Sequence, residues 1–427
     1  MKQDTKKTLV VDATDQAAGN GLMSRRFFLN SALATGAVVA GGPAAFAQET
    51  SVGEGQEDWT LMPGDDAPEY GDVSQFEKGR VKKFVAPPAG GRTASSAGRT
   101  PLHLLHGTIT PSGLHFEVTH HGVPEVDPDK HEMVIHGMVD RPLKWNVDAL
   151  ENYATETKQY FLECSGNTRV NWANKKPDQN FMYMTHGLVS GSEWTGVPLS
   201  TLLDEAGVSP DAKWIIAEGG DSGSLSRSIP IDKAMKDSMV AIYQNGERLR
   251  PSQGYPMRIL NPGFEGNTSV KWVRSLYVTD KPVMSRFETS KYTDKLHDGK
   301  SLQFSLEMDV KSVITRPSSA VALEKKGMYE ITGLAWSGRG KIVKVEVSAD
   351  GGKTWAEAAV EGPVHSMMLT RFRIPWMWEG RPAILQSRAT DEFGRVQPSR
   401  GKQAYYHYHA VHSWSVNARG KIRHVYA

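Results

Sequence analysis

Cysteine is the scarcest residue in this sequence: among 427 residues, Cys164 alone carries a thiol. A single cysteine excludes an intrachain disulfide, and no Cys-x-x-Cys-His segment occurs that would hold a c-type haem covalently. A lone cysteine is ordinarily a small buried side chain, so packing, metal ligation and nucleophilic catalysis are all open for Cys164 at this point. No papain-like or caspase-like signature surrounds it, which disfavours the nucleophile.

The sequence also has little excess charge and no long run of basic residues. Its formal net charge is +2, which argues against a nucleic-acid partner. With 39% apolar and 23% charged residues, the composition is that of a folded globular protein rather than a disordered or membrane-embedded one. We therefore expect no membrane span, and the length allows two or three domains.

The segment 1–47 has the pattern of a twin-arginine export signal. The paired arginines of Ser24-Arg25-Arg26-Phe27-Phe28-Leu29 precede a short apolar stretch and then Ala45-Phe46-Ala47, a typical cleavage site. The apolar stretch is too short for a membrane anchor. Because this route carries folded proteins, commonly with cofactors inserted, the segment predicts a periplasmic protein with a cofactor. A single thiol in that oxidising compartment favours metal ligation over packing, while a disulfide to another chain stays open.

Three regions follow the signal. Residues 48–100 are rich in Gly, Pro, Ser and charge, and we interpret them as an extended arm or linker. Residues 101–300 combine strand patterns with a helix predicted over 198–206, which indicates a mixed α+β domain. Residues 301–427 contain short strand patterns and turns such as Asp350-Gly351-Gly352, which are typical of an all-β immunoglobulin-like sandwich.

The surroundings of Cys164 suggest a thiol presented by a loop. The apolar run Tyr160-Phe161-Leu162 predicts a strand, and Ser165-Gly166-Asn167 predicts a loop in which glycine allows close backbone approach. Arg169 follows five residues after the cysteine, and a nearby cation would favour the thiolate. A thiolate is the ligand that a soft, high-valent metal requires.

The segment 164–169, Cys-Ser-Gly-Asn-Thr-Arg, resembles the Cys-x-Gly-Asn-x-Arg loop of the sulfite oxidase family of molybdenum enzymes. The resemblance runs from about residue 101 to the C-terminus, with its elements in the family's order. Within the family, the export signal, the arm and the tyrosine- and histidine-rich tail resemble the SoxC group, the molybdenum subunits of sulfane dehydrogenases. The other matching segments are Pro124-Glu125-Val126-Asp127-Pro128, Trp194-Thr195-Gly196-Val197-Pro198-Leu199, Glu218-Gly219-Gly220-Asp221, Gly254-Tyr255-Pro256-Met257-Arg258, Val270-Lys271-Trp272 and Gly333-Leu334-Ala335-Trp336-Ser337-Gly338.

The resemblance implies a sulfite-oxidase-type mixed α+β molybdopterin domain over 101–300 and an all-β immunoglobulin-like dimerisation domain over 301–427. It implies a molybdenum–molybdopterin cofactor with Cys164 as the protein ligand to the metal, and no haem in this chain. The implied cofactor-binding residues are His120 and Asp221 for the pterin, Arg258 and Lys271 for its phosphate, and Ser269, which lies beside Lys271.

Two further residues are implied to take part in catalysis. Arg169 matches an arginine that lines the family's anion pocket beside the metal. Tyr292 matches a tyrosine near the metal, where a phenol can donate to an equatorial oxygen. Taken singly, Arg169 could be an ordinary surface charge, and Tyr292 could be an ordinary half-buried tyrosine in a loop.

The sequence departs from the family at two positions. Val118 stands where the family commonly has a second anion-binding arginine, and Gln253 replaces a histidine near the pterin. Losing a pocket cation should weaken binding of a small dianion such as sulfite, so Val118 favours a larger substrate. The tail histidines His407, His409 and His412 are an alternative source of that charge, or simply part of a final strand.

The implied function is oxidation of sulfane sulfur bound to a carrier protein, with electrons passing to a separate dihaem c-type cytochrome subunit. The expected assembly is a homodimer of this chain within a heterotetramer. The alternative is a direct sulfite dehydrogenase that uses cytochrome c as acceptor. A non-enzymatic periplasmic binding module also stays open, whereas a methionine-sulfoxide reductase of the same superfamily is disfavoured because those proteins generally lack the C-terminal sandwich.

Overall fold

The computed structural model of the protein describes residues 16–24, 63, 70–85, 96–168, 182–296, 298–399 and 410–425. Several positions singled out in the sequence lie outside these residues: the twin arginines Arg25 and Arg26, the cleavage site 45–47, Arg169, and the tail histidines His407 and His409.

The described chain is mainly β, with short helices. The mixed α+β description of the first domain stays a prediction. The helices are α1 (Val147–Glu151), α2 (Met182–His186), α3 (Leu199–Ala206), α4 (Ile231–Lys236) and α5 (Arg286–Ser290). The strands are β1 (Gln16–Ala18), β2 (Leu22–Met23), β3 (Lys83–Val85), β4 (Ser96–Arg99), β5 (Glu117–Thr119), β6 (Met133–Gly137), β7 (Leu143–Trp145), β8 (Glu156–Glu163), β9 (Val189–Pro198), β10 (Trp214–Gly219), β11 (Ser226–Pro230), β12 (Met239–Gln244), β13 (Glu247–Arg248), β14 (Arg258–Leu260), β15 (Val273–Thr279), β16 (Asp294–Lys295), β17 (Ser301–Leu302), β18 (Lys311–Arg316), β19 (Gly327–Trp336), β20 (Ile342–Ser348), β21 (Ala356–Glu357), β22 (Ala359–Val360), β23 (Thr370–Trp378), β24 (Ala383–Asp391), β25 (Ser413–Val416) and β26 (Ile422–Val425).

Local sequence patterns account for two of these elements. The predicted helix is α3, which buries Leu199, Leu202 and Leu203 on one face and ends at Gly207, where φ is +71°. The Asn245-Gly246 pair forms the hairpin turn between β12 and β13. Both residues have positive φ, as a tight hairpin turn requires.

Two larger sheets and the small sheets β3-β4-β5 and β16-β17 belong to the N-terminal half and its end. One sheet has the order β11-β10-β15-β6-β7, and the other the order β13-β12-β9-β8, with β14 added to β12. A shared core joins them through residues such as Ile135, Val197, Ile215 and Ile242. The small sheet β3-β4-β5 brings part of the predicted arm beside β5, with Ala97 opposite Val118.

Two antiparallel sheets share one core in the C-terminal half. Their orders are β1-β2-β23-β19-β18 and β21-β20-β24-β25-β26, with β22 paired to β23. Buried residues of both sheets, including Phe372 and Leu385, belong to one hydrophobic cluster. This arrangement agrees with the all-β prediction for 301–427, whereas the immunoglobulin-like topology remains a prediction.

The halves are joined by apolar packing, and a segment from within 1–47 also takes part. Phe161 and Met182 of the first half belong to the same cluster as the C-terminal core. Leu22 of β2 is fully buried there, and the indole of Trp376 donates to the carbonyl oxygen of Asn20 at 2.7 Å. None of the helices in the described ranges has the length and apolar character needed to cross a membrane.

Candidate active site

The loop that carries Cys164 is held by hydrogen bonds on both sides. Strand β8 ends at Glu163, as the apolar run predicts, and the Cys164 amide donates to the carbonyl oxygen of Leu188 at 3.0 Å. The Asn167 amide then donates to the Cys164 carbonyl oxygen at 2.8 Å, which closes a turn. A side chain at Gly266 would place its Cβ 2.8 Å from the Glu163 carbonyl oxygen, so only glycine permits this approach.

Cys164 lines a pocket, together with residues from several strands and loops of the N-terminal half. The structure brings seven of the eight predicted site residues to this pocket, and the eighth, Arg169, lies outside the described residues. The seven are Cys164, His120, Asp221, Arg258, Ser269, Lys271 and Tyr292.

Two cations, the buried Arg258 and the half-buried Lys271, line the pocket without a carboxylate partner in an ion pair among the described residues. Arg258 donates to the carbonyl oxygens of Gln253 at 2.9 Å and Ser269 at 2.8 Å, while Lys271 donates to those of Ser252 at 2.8 Å and Val118 at 3.2 Å. Burial lowers the pKa of Lys271 to about 7 and that of Arg258 to about 9. Buried charges without a counter-ion are costly, so this wall of the pocket is suited to an anionic group.

His120 and Tyr292 meet on another side of the pocket. The His120 Nε2 lies 3.1 Å from the Tyr292 hydroxyl, and the Arg227 guanidinium lies 4.7 Å from the centre of the tyrosine ring. Burial lowers the pKa of His120, which makes the neutral imidazole the resting form near pH 7. Arg227 is itself buried and paired with Glu288 at 3.1 Å and Glu265 at 3.4 Å, which fixes it beneath the phenol.

Asp221 also lines the pocket, and its carboxylate is held by neighbouring groups. Its Oδ1 accepts a hydrogen bond from the Leu225 amide at 3.2 Å, and its Oδ2 lies 3.8 Å from the Nδ1 of His121. The neighbouring Ser269 is buried and its hydroxyl accepts from the Asn261 amide at 3.0 Å. The Ser269 hydroxyl therefore contributes to the local fold, and its carbonyl oxygen contributes by orienting Arg258.

The thiol of Cys164 is not activated by the described protein groups alone. Burial raises its pKa, and a hydrogen bond from the Gly166 backbone opposes this only in part. A bound metal deprotonates a coordinating thiol outright. A raised pKa keeps the free thiol protonated, so it disfavours a nucleophile but is compatible with a metal ligand. Arg169, which is expected to favour the thiolate, lies outside the described residues.

The two departures noted in the sequence both lie at this pocket. Val118 and Gln253 line it, and the Gln253 amide donates to the Phe116 carbonyl oxygen at 3.0 Å. The tail residue His412 does not supply a charge here: it is buried against His186 and His424.

Sequence reasoning missed the residues that support the site from behind. The Glu163 carboxylate, fully buried next to Cys164, accepts hydrogen bonds from Lys311 at 2.7 Å, Trp336 at 2.7 Å and Asn167 at 3.0 Å. Lys311 and Trp336 come from the C-terminal half. Arg227 was missed as well, because neither residue spacing nor a local motif links it to Tyr292.

Two family models match the chain. The model described as an oxidoreductase molybdopterin binding domain matches residues 120–287, and the one described as a Mo-co oxidoreductase dimerisation domain matches residues 303–417. The crystal structure of the sulfane dehydrogenase SoxCD from Paracoccus pantotrophus contains a chain whose fold is similar, with a TM-score of 0.84. The two sequences are 41% identical, and the match covers 89% of this chain and 99% of that chain. This chain belongs to the sulfite oxidase family of molybdopterin enzymes.

Curated relatives in the family are larger proteins. The NADH nitrate reductase of Ulva prolifera is 33% identical over 284 residues, which is 60% of this chain and 33% of that protein. The mitochondrial sulfite oxidase of Mus musculus is 29% identical over 327 residues, which is 70% of this chain and 59% of that protein. The chain thus spans a third of the nitrate reductase and less than two thirds of the sulfite oxidase.

Membership of the sulfite oxidase family makes molybdenum–molybdopterin the cofactor, and the pocket fits that group. The Cys164 sulfur is available as a soft metal ligand, and the pair of cations Arg258 and Lys271 matches the charge of a pterin phosphate. The contacts of His120, Asp221 and Ser269 with the cofactor, and the roles of Arg169 and Tyr292, remain predictions.

Proposed function

We propose that this chain is the molybdenum subunit of a periplasmic sulfane dehydrogenase. It oxidises sulfane sulfur held on a carrier protein and passes the electrons to a separate c-type cytochrome subunit. The observation that carries the proposal is a pocket that combines Cys164 with two cations, Arg258 and Lys271, in a chain 41% identical to one from a sulfane dehydrogenase.

The bound cofactor supplies oxygen transfer: each oxygen atom that passes from water to sulfur releases two protons and two electrons. The chain's own residues do the remaining work. Cys164 would ligate the metal, while Arg258 and Lys271 would hold the phosphate and orient the pterin. The Tyr292 hydroxyl lies within hydrogen-bond distance of the neutral imidazole of His120, and this pair would accept one of the released protons.

The pocket favours a sulfur atom carried by a protein over free sulfite. Val118 lines the pocket where the family commonly has an arginine, so one cation that would bind a small dianion is replaced by an apolar side chain. A substrate tethered to a carrier can use contacts outside the pocket for its affinity, and it depends less on a second cation.

The proposed assembly places this chain in a complex. The match of residues 303–417 to a dimerisation domain supports a homodimer, and the name of the Paracoccus neighbour supports a two-component dehydrogenase. We include a dihaem c-type cytochrome as the second subunit, in a heterotetramer. The twin-arginine pattern at 24–29 supports export of the folded, cofactor-loaded protein to the periplasm.

The experiment starts from protein exported in a host that makes molybdopterin. Molybdenum per chain is measured together with reduction of cytochrome c by two donors, free sulfite and carrier-bound sulfane sulfur. We expect about one molybdenum per chain. We also expect turnover with the sulfane donor when the cytochrome subunit is added, and little with sulfite alone.

The variants separate the alternatives. Cys164→Ser should lose molybdenum while remaining folded, and Ser165→Ala serves as the neighbouring control. Brisk turnover of free sulfite would replace the proposal with a direct sulfite dehydrogenase and show that Val118 does not decide the substrate. A protein without molybdopterin would remove the basis for an enzyme and favour a binding module.

A further inference from the structure

A second cluster of metal-ligating side chains lies apart from the molybdenum pocket. His186, at the end of α2, meets His412 and His424 of the C-terminal half, and their ligand atoms all lie within 4.8 Å of one another. The three side chains are 0%, 6% and 2% exposed, so they are buried together. None of them lines the cysteine pocket.

The three imidazole rings pack against one another. The His186 and His412 ring centres are 4.3 Å apart with planes at 80°, and His424 lies 6.4 Å from His186 and 5.9 Å from His412. Both ring nitrogens of His186 are buried without a hydrogen-bond partner in the described structure. A fully buried imidazole in that state loses the hydrogen bonds that water would provide, which is costly unless another partner binds it.

We propose that His186, His412 and His424 bind a zinc ion at the junction of the two halves. Imidazole nitrogen is a preferred ligand of zinc, with Zn–N distances of about 2.0–2.1 Å. Around a tetrahedral ion such nitrogens lie about 3.3–3.4 Å apart, so each ring has to shift by less than about 1 Å. Three imidazoles leave one position for a further donor.

The electrostatics of the cluster permit a cation. Lys311 is the nearby positive group, but its ammonium is neutralised by the buried carboxylate of Glu163 at 2.7 Å. Burial lowers the pKa of His186 and His412 well below the ordinary value and that of His424 to about 4, so the rings are neutral at pH 7. The neutral ring is the form that ligates metal, so no proton has to be displaced.

The position of the cluster gives the ion a structural role. The Thr185 carbonyl oxygen, next to His186, accepts from the Thr168 amide at 2.9 Å, and the Leu188 amide donates to Asn167 Oδ1 at 3.1 Å. Thr168 and Asn167 belong to the Cys164 loop. The zinc ion therefore ties that loop, through α2, to β26 of the C-terminal sheet.

The test uses the full chain without a histidine tag, loaded with molybdopterin. Zinc and molybdenum per chain are measured by elemental analysis after incubation with Zn²⁺ and desalting, and Co²⁺ replaces zinc as a spectroscopic probe. We expect about one zinc per chain, and visible absorption typical of Co²⁺ with nitrogen ligands. His186→Ala should lower bound zinc at least about tenfold. Its molybdenum content should stay the same.

The controls separate this site from the molybdenum pocket and from loss of folding. Cys164→Ser should lose molybdenum and keep zinc, and His136→Ala, outside the cluster, should keep both. His424→Gln is a second variant in case His186→Ala does not fold. Wild-type protein that retains no zinc and gives no Co²⁺ absorption overturns the proposal and leaves three packed neutral histidines. Zinc retained by both cluster variants also overturns it.

Discussion

The charged groups on the two sides of Cys164 differ in whether the chain itself supplies a partner of opposite charge. Behind the cysteine, Glu163 is fully buried but accepts hydrogen bonds from Lys311, Trp336 and Asn167. In the pocket, the buried Arg258 and the half-buried Lys271 donate hydrogen bonds only to backbone carbonyl oxygens among the described residues. The charge of Glu163 is neutralised by Lys311, a residue of the same chain. The pocket cations retain a positive charge that a phosphate can neutralise, which distinguishes a structural network from a binding site.

The largest expected effect comes from breaking the paired side. Lys311→Met removes the cationic partner of Glu163, so we expect the free energy of unfolding to fall by about 3–5 kcal/mol. Denaturant unfolding of the cofactor-free protein measures it. The double variant Glu163→Gln with Lys311→Met should recover much of the loss. Arg373→Met, at a partly exposed ion pair, should change stability by less than about 1 kcal/mol, and an equal loss in Arg373→Met and Lys311→Met would contradict the comparison.

The pocket cations should behave in the opposite way. Lys271→Met and Arg258→Met each remove a desolvated charge without a carboxylate partner, so the cofactor-free protein should be at least as stable as wild type. Molybdopterin content should nevertheless fall at least about tenfold, since a charged hydrogen bond contributes about 1.5–3 kcal/mol. Elemental analysis and thermal unfolding measure the two effects. The exposed Lys130→Met is the matched control, and full cofactor content in the pocket variants would refute the phosphate assignment.

The pKa of Lys271 makes anion binding dependent on pH. In the cofactor-free protein its pKa is about 7, so the ammonium loses its proton as the pH rises through 7, and a bound phosphate favours the protonated form. Relative to Lys271→Met, phosphate affinity of the wild type should therefore fall by up to about tenfold per pH unit above 7. Titration of inorganic phosphate into both proteins from pH 6 to 9 checks this. If the phosphate affinities of the two proteins changed with pH in the same way, Lys271 would not contact the anion.

The smallest expected effect concerns the proton path. Tyr292→Phe removes the hydrogen bond to His120 but keeps the ring that lies over Arg227. We expect a two- to tenfold fall in turnover with molybdenum unchanged, because one neutral hydrogen bond contributes about 0.5–1.5 kcal/mol. Steady-state cytochrome reduction measures it. Loss of molybdenum in this variant would instead assign Tyr292 to cofactor binding.

Much of the pocket could be anticipated because its residues lie in short segments with recognisable local chemistry. Leu162 of the strand before the cysteine, Cys164 itself and the cation positions 258 and 271 all line one pocket. The helix α3 and the Asn245-Gly246 turn follow from spacing and glycine. By contrast, the hairpin of β1 and β2 on the C-terminal sheet was not anticipated, since its pairing with Trp376 spans most of the chain.

The sequence by itself determined the candidates for the chemistry: one cysteine in a Gly-Asn loop, two basic residues, a histidine and a tyrosine in a family order. Tertiary structure decided which of the buried charges are neutralised within the chain. It placed Lys311 and Trp336 against Glu163, Arg227 beneath Tyr292, and His186 beside His412 and His424. The physical reason is distance along the chain. Local patterns encode strands, turns and caps, whereas the counter-charge of a buried group is set by whichever distant side chain the packing brings within hydrogen-bond reach.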